Sequence, residues 1–291
     1  MGMLLPTAAV VIAMAGFQVS ASFAKSLFPA LGAEGASALR LALGALMLLA
    51  LVRPWRAWPR GRAWLPVLGL GVAVACAVLM FYQALARLPQ GVAIALQFLG
   101  PLAVALAGSR RARDLAWAGL AAAGVWGLVG SSAGSGPLDP VGVAWALGAA
   151  AGWAGYILFG RAAGATSSRS AAALATSIAA VLVLPFGIAH AGMGLLTPAL
   201  LPLALLVALF STVIPFSLEL YALPRMPART FAVFTSLEPA FGALAGLVLL
   251  HERLAAPQVL GVLAVMIAAA GSSWSSAGER RDAAVADAPP N

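Results

Sequence analysis

ALARLPQGVAIALQFLGPLAVALAG, residues 84–108, and ALPRMPARTFAVFTSLEPAFGALAG, residues 222–246, follow one pattern at a shift of 138 positions. Ala84-Leu85, Arg87 and Pro89 fall on Ala222-Leu223, Arg225 and Pro227. Leu99 and Pro101 fall on Leu237 and Pro239, and Ala105–Gly108 on the identical Ala243–Gly246. Alanine and leucine are too common here to carry weight, so the prolines and arginines in register make the argument. They predict an internal repeat, a feature that decides the fold class before any single element does.

The surroundings of both stretches are apolar. Of the 291 residues 62% are hydrophobic and 9% charged, against roughly 25% charged in a soluble domain. At about 20 apolar residues per crossing, the chain has room for about ten helices and little else. Segments such as 36–52 are apolar all round and rich in Ala and Leu, unlike the alternating strands of a membrane barrel. The expected spans are 4–24, 36–52, 64–86, 89–109, 114–130, 138–160, 170–189, 199–221, 228–250 and 256–274. Leu4–Ala24 lacks a preceding basic residue and is long for a signal core, so it reads as the first span. The segment 275–291 is polar and Ala/Asp/Pro-rich, which predicts a disordered tail.

Loop charge supports this division. With the N-terminus cytoplasmic, the inner side collects Arg53, Arg56, Arg60, Arg62, Arg110, Arg111, Arg113, Arg161, Arg169, Arg225, Arg229, Arg280 and Arg281. Only Lys25, Arg40, Arg87 and Arg253 fall at or near the outer side. Both termini are then cytoplasmic. The expected organisation is an all-α membrane protein of ten helices: a five-helix repeat over 4–130, a second over 138–274, and the tail. Five is odd, so the second copy enters the membrane inverted. That is the architecture of many secondary transporters, whose substrate site lies near mid-depth between the halves.

Several classes are excluded by pattern. The two histidines, His190 and His251, fall at expected outer loops, and no Cys/His cluster for a metal is present. No phosphate-binding Gly-Lys-Ser/Thr loop occurs, and no cofactor and no enzymatic chemistry are expected. The net charge of +8 reads as loop charge that sets orientation, not as a nucleic-acid surface. Cys76, the single cysteine, reads as packing.

An ionisable residue inside a span is costly unless paired or hydrated, so such residues are the first candidates for function. Glu238 lies mid-span and is followed by Pro239. A proline withholds the N–H that would serve the carbonyl one turn earlier, so a carboxylate and an open carbonyl can face one cavity. The reading favoured is a ligand for a substrate ammonium or a carrier of a coupling proton; the alternative is a buried carboxyl bonded to a neighbouring helix. Its repeat counterpart is the Gln97–Pro101 region, where the Gln97 amide either binds substrate or bridges helices. Glu219 reads as a gating or proton-coupling carboxylate, or as an interfacial ion pair with Arg225 or Arg229. Arg40 and Lys25 either attract a substrate carboxylate or snorkel to the interface. Gln18, Tyr82 and Tyr156 are further candidates to line a substrate path, beside Ser20, Ser22, Gln83, Trp153, Thr230, Thr235 and Ser236. Gly148/Gly152 and Gly242/Gly246 predict close helix contacts.

Taken together, Ala21–Pro29, Ala38–Gly44, Gly100–Leu106 with Ser109-Arg-Arg111, Ser217-Leu-Glu219, Arg229-Thr-Phe231, Glu238-Pro-Ala240 and Leu250-His-Glu252 resemble the EamA-type transporters of the drug/metabolite transporter superfamily. The resemblance runs from about residue 5 to 275. It implies a bacterial inner-membrane carrier that exports small amino-acid-like cargo, such as threonine or homoserine, by alternating access and with protons as the coupling ion. Arg40, Glu219 and Glu238 occupy motif positions. The family pattern also implies a glutamate in the fourth span, where this chain has Gln97, so cargo choice or coupling differs if that carboxylate serves either. The expected partners are a small-molecule substrate, protons and the lipid bilayer, with the chain a monomer or homodimer. An exporter of another solute, such as a purine, an aromatic amino acid or a toxic amphiphile, is the alternative within transport. A scaffold or membrane enzyme is the alternative outside it.

Overall fold

The computed structural model describes residues 4–56, 58–107, 112–129, 138–222, 225–226 and 228–286. Every regular element among them is helical: α1 Leu4–Lys25, α2 Phe28–Val52, α3 Trp64–Leu85, α4 Gln90–Gln97, α5 Leu99–Ala107, α6 Ala112–Val129 and α7 Pro140–Ala191. They continue with α8 Leu201–Ala208, α9 Ile214–Ala222, α10 Ala228–Thr235, α11 Glu238–Leu249 and α12 Ala256–Ala286. Helix is the form these apolar runs must take in a bilayer, because it satisfies every backbone group within one segment. Proline sits in the first turn of α2, α7, α8 and α11, where its missing N–H costs nothing. Asp139 caps α7 by accepting from the Val141 N–H at 2.9 Å.

Six segments are long and apolar enough to cross a membrane: Leu4–Lys25, Phe28–Val52, Gly61–Leu85, Gln90–Ala107, Pro140–Gly164 and Ser170–Leu196. Four shorter apolar helices, Leu115–Val129, Leu201–Val213, Glu238–Leu249 and Ala256–Ser272, lie where the sequence predicts the remaining spans. Two of these belong to longer, interrupted stretches. A π turn, Leu209–Val213, joins α8 to α9, and only Ser236 and Leu237 separate α10 from α11. Helix α12 continues past Trp274 to Ala286, into the segment whose composition predicts a disordered tail. The expected turn at Pro227 lies outside the described residues.

Helical structure also continues through the expected loop between 160 and 170, yet α7 is not one rod. Phe159 packs on Gly69 and Ile178 packs on Gly71. On a straight helix those two residues would stand about 28 Å apart, so the chain folds back between them. Val67 and Leu70 of α3 share a cluster with Ala163, Ala171, Leu174 and Ala175 from both arms. The first arm meets α3 closely: a Cβ on Gly152 would lie 2.6 Å from the Ala77 nitrogen, the close approach the small-residue spacing predicts.

Elsewhere α2 also packs along α7, α6 on α12, α1 on α9 and α11, and α11 on α4. Helix α4 is the centre of this arrangement, buried at every residue from Gln90 to Gln97. Its Ile94 and Leu96 share a cluster with Leu27, Leu31, Phe81 and Leu85. Large apolar side chains also cover the outside, among them Leu46, Leu65, Val181, Phe186, Val248, Leu260 and Ile267. In water such a surface would be an association liability; against hydrocarbon it is the matching solvent.

Candidate functional site

A cavity of about 530 Å³ lies among α1, α2, α3, both arms of α7 and the α8–α9 stretch, with the breaks between α4 and α5 and between α10 and α11 on its wall. Its polar lining groups are Arg40, Gln97, Tyr156, Thr176, Ser211, Thr212 and Glu238. The remaining wall is mostly apolar and includes Phe17, Val78, Phe81, Trp153 and Pro215. From the level of Arg40 the cavity runs past Leu70 and Leu48 toward Gly164 and Ala171, away from the end that carries Lys25 and Leu88.

Arg40 is only 6% exposed, and its surroundings show how a guanidinium is held there. Its Nε donates to Ser211 Oγ at 2.8 Å and its Nη2 to the Ser211 carbonyl at 3.3 Å. The group also lies over the Phe17 ring at 5.2 Å and the Tyr82 ring at 5.5 Å, where the ring quadrupoles attract the cation. The carbonyl acceptor follows from local sequence. Pro215 has no N–H to offer Ser211 one turn earlier, and the π turn over Leu209–Val213 widens the helix at the same place. π turns recur at functional sites for this reason: they aim groups that a regular α-helix keeps bonded to itself.

The other polar groups come from the two breaks. Gln97 is the last residue of α4 and is buried; Glu238 is the first residue of α11 and half-buried. Pro101 removes the helical donor to the Gln97 carbonyl, and Pro239 does the same to Thr235. Glu238 stands in the first turn of α11, the end at which the helix dipole presents positive charge. Trp153 and Tyr156 stack on the wall with ring centroids 4.6 Å apart at 40°. The arrangement offers a buried cation, a carboxylate and a neutral amide to one cavity.

Of the candidates read from sequence, Arg40, Gln97, Trp153, Tyr156 and Glu238 line this cavity. Tyr82 does not; it stands behind Arg40, packed on Phe28 and Phe81. Gln18 does not either. Its carbonyl accepts from Gln90 Nε2 at 2.8 Å, and its Oε1 has no partner among the described residues. The Glu219 side chain lies outside the described residues. Ser211 and Thr212 went unrecognised in the sequence, although a hydroxyl pair one turn before Pro215 in an apolar run was a readable signal. Among the described residues no group of three His, Cys, Asp or Glu could hold a metal.

With this geometry in place, the comparisons are specific. Residues 140–274 match the EamA-like transporter family. The chain is 44% identical over 269 residues to the threonine/homoserine exporter RhtA of Escherichia coli (strain K12), covering 92% of this chain and 91% of that protein. The RhtA of Salmonella typhimurium (strain LT2) matches at the same identity and coverage. An uncharacterized transporter of Bacillus subtilis (strain 168), YwfM, is 30% identical over 234 residues, 77% of this chain and 78% of its own length. A solved crystal structure, 19% identical, shares the fold at a TM-score of 0.62 over 94% of this chain and 98% of that one. These named relatives are transporters and not enzymes, and this all-helical protein crosses the membrane several times. The chain belongs to the EamA-like transporter family.

Proposed function

We propose that this protein is a secondary exporter of small amino acids, threonine or homoserine among them, in the bacterial inner membrane. In this reading ten helices form two inverted five-helix repeats, both termini are cytoplasmic, and one central cavity opens alternately to either side. The observation that carries it is the presence of Arg40 and Glu238, opposite charges, on one largely apolar cavity. A zwitterion needs such a pair: the guanidinium takes the carboxylate, and the carboxylate takes the ammonium with help from the Gln97 amide. The apolar wall lowers the local dielectric and strengthens both contacts. Threonine and homoserine each add a hydroxyl, for which Thr212 and Ser211 are the nearest chemistry. Support also comes from RhtA, which is named for these two amino acids.

The half-helix termini at the two breaks fit the same reading, since secondary transporters place broken helices around mid-depth sites. The breaks keep the repeat register: α4 spans Gln90–Gln97 and α10 spans Ala228–Thr235. Protonation of Glu238, or of Glu219, would weaken ammonium binding and so link the proton gradient to release. The Trp153–Tyr156 stack favours a second reading, in which larger aromatic solutes are carried too.

The test uses cells lacking their own exporters. Expression raises threonine or homoserine tolerance, and Glu238→Gln removes the gain while the protein remains inserted. Unchanged efflux in that variant overturns the role of Glu238. Efflux from proteoliposomes, with and without a pH gradient, reads cargo and coupling directly.

A further inference from the structure

At the end of the molecule away from the cavity, one carboxylate ties three segments together. Glu252 Oε1 lies 2.6 Å from Lys25 Nζ, at the last residue of α1. Its other oxygen, Oε2, accepts from the Gln90 N–H at 2.6 Å, the first amide of α4. Lys25 Nζ also donates to the Leu88 carbonyl at 3.3 Å. Gln90 continues the network inward, accepting from Ser22 Oγ and donating to the Gln18 carbonyl, both at 2.8 Å. The Lys25 and Glu252 side chains are 20% and 18% exposed, so these charge-assisted bonds are partly shielded from water and salt.

The placement of Glu252 is built into the local chain. His251 adopts a left-handed conformation, φ 55°, which turns the chain back over the end of α11. The Leu250 and Glu252 N–H groups both donate to the Gly246 carbonyl, at 3.1 and 3.0 Å. A Cβ on Gly246 would lie 2.7 Å from Glu252 Oε2, so only glycine leaves the carboxylate this seat. The repeat register does not carry the same three residues to the opposite end. Under the 138-residue shift, Lys25 corresponds to Ala163, Gln90 to Ala228 and Glu252 to Asp114. Neither the cation nor the amide side chain has a counterpart there.

We propose that Lys25, Glu252 and the first amide of α4 form a latch that closes the outer end of the cavity during alternating access. Because the repeat register supplies no matching lysine and glutamine at the other end, it biases the unloaded protein toward the conformation loaded from the cytoplasm. Opening the outer end separates α1 and α4 from the α11–α12 turn and breaks both bonds of the Glu252 carboxylate. The latch rests on the transporter reading above, but it is measured without any cargo.

The experiment places a single cysteine in the cavity, Val78→Cys in a Cys76→Ser background, in the full chain in membranes. A membrane-impermeant maleimide is applied to right-side-out and to inside-out vesicles. With the latch intact, labelling is slow from the outer face and fast from the inner. Glu252→Gln and Lys25→Met each speed outer-face labelling about tenfold, the size expected from losing one charge-assisted bond, while Lys25→Arg preserves the slow rate. Outer-face rates unchanged in both Glu252→Gln and Lys25→Met, at normal protein amounts, overturn the latch. If one of the two fails to insert, the other decides. A failure of the transporter reading shows separately, as no solute flux in proteoliposomes.

Discussion

The two broken helices, α4–α5 and α10–α11, are cut at corresponding places and serve different ends. Pro101 and Pro239, in register, interrupt each one and bring its broken end to the cavity wall. There the likeness stops. Helix α4 is buried along its whole length and presents a neutral amide, Gln97. Helix α11 starts with a carboxylate, Glu238, and shows Leu244, Leu247 and Val248 to the outside. A shared backbone device thus carries unlike chemistry at the two breaks. The break whose helix shows an apolar outer face holds a carboxylate, while the break of the buried helix holds a neutral amide. A buried α4 tolerates an amide far better than an ion, because desolvation of an unpaired charge costs several kcal/mol.

The sharpest way to break this comparison is to neutralise the charged side. Glu238→Gln makes both breaks amides, and export in a whole-cell tolerance assay falls to background with insertion intact. Next in size is Arg40→Lys, which keeps the charge and loses the planar group that Ser211, Phe17 and Tyr82 hold. Arginine and lysine are not interchangeable at a stacked site, and initial efflux from proteoliposomes drops about tenfold, equivalent to roughly 1.4 kcal/mol.

A smaller effect is expected from Ser211→Ala. It removes the Oγ partner of Arg40 Nε and leaves that donor buried, at about 1–2 kcal/mol. The result is a several-fold rise in the apparent KM for the amino acid with little change in maximal rate. The smallest is Pro101→Ala, which restores the helical N–H toward the Gln97 carbonyl. Efflux changes by about twofold there, whereas Pro239→Ala, beside the charged residue, changes it more. The reverse experiment, Gln97→Glu, places carboxylates at both breaks and sharpens the comparison from the other side. Efflux persists and its dependence on the pH gradient steepens.

How much of this was legible in the sequence differs residue by residue. The open carbonyl before Pro239 was, because a proline withholds its N–H wherever it stands, but the spans 89–109 and 228–250 were expected to run unbroken and the structure divides both. The cavity lining was only partly so. Glu238 and Arg40 stood out as charges within apolar runs, but Tyr82 and Gln18, which look equally apt, turn out to pack behind Arg40 and beside Gln90. The spans here are apolar nearly all round, so no polar stripe marks the inward face and helical periodicity cannot sort lining residues from buried ones. Ser211 was missed for a related reason, since a serine can bond its own helix and remain silent.

The sequence by itself determined the solvent, the helical class and the carbonyls that proline leaves without a helical donor. These depend on side-chain hydropathy and on the missing N–H of proline, properties each segment carries alone. Tertiary structure alone decided which distant groups meet: Arg40 with Ser211, and Lys25 with Glu252 over the first amide of α4. Those meetings depend on how the helices are rotated and seated on one another, which small residues permit but no local pattern specifies.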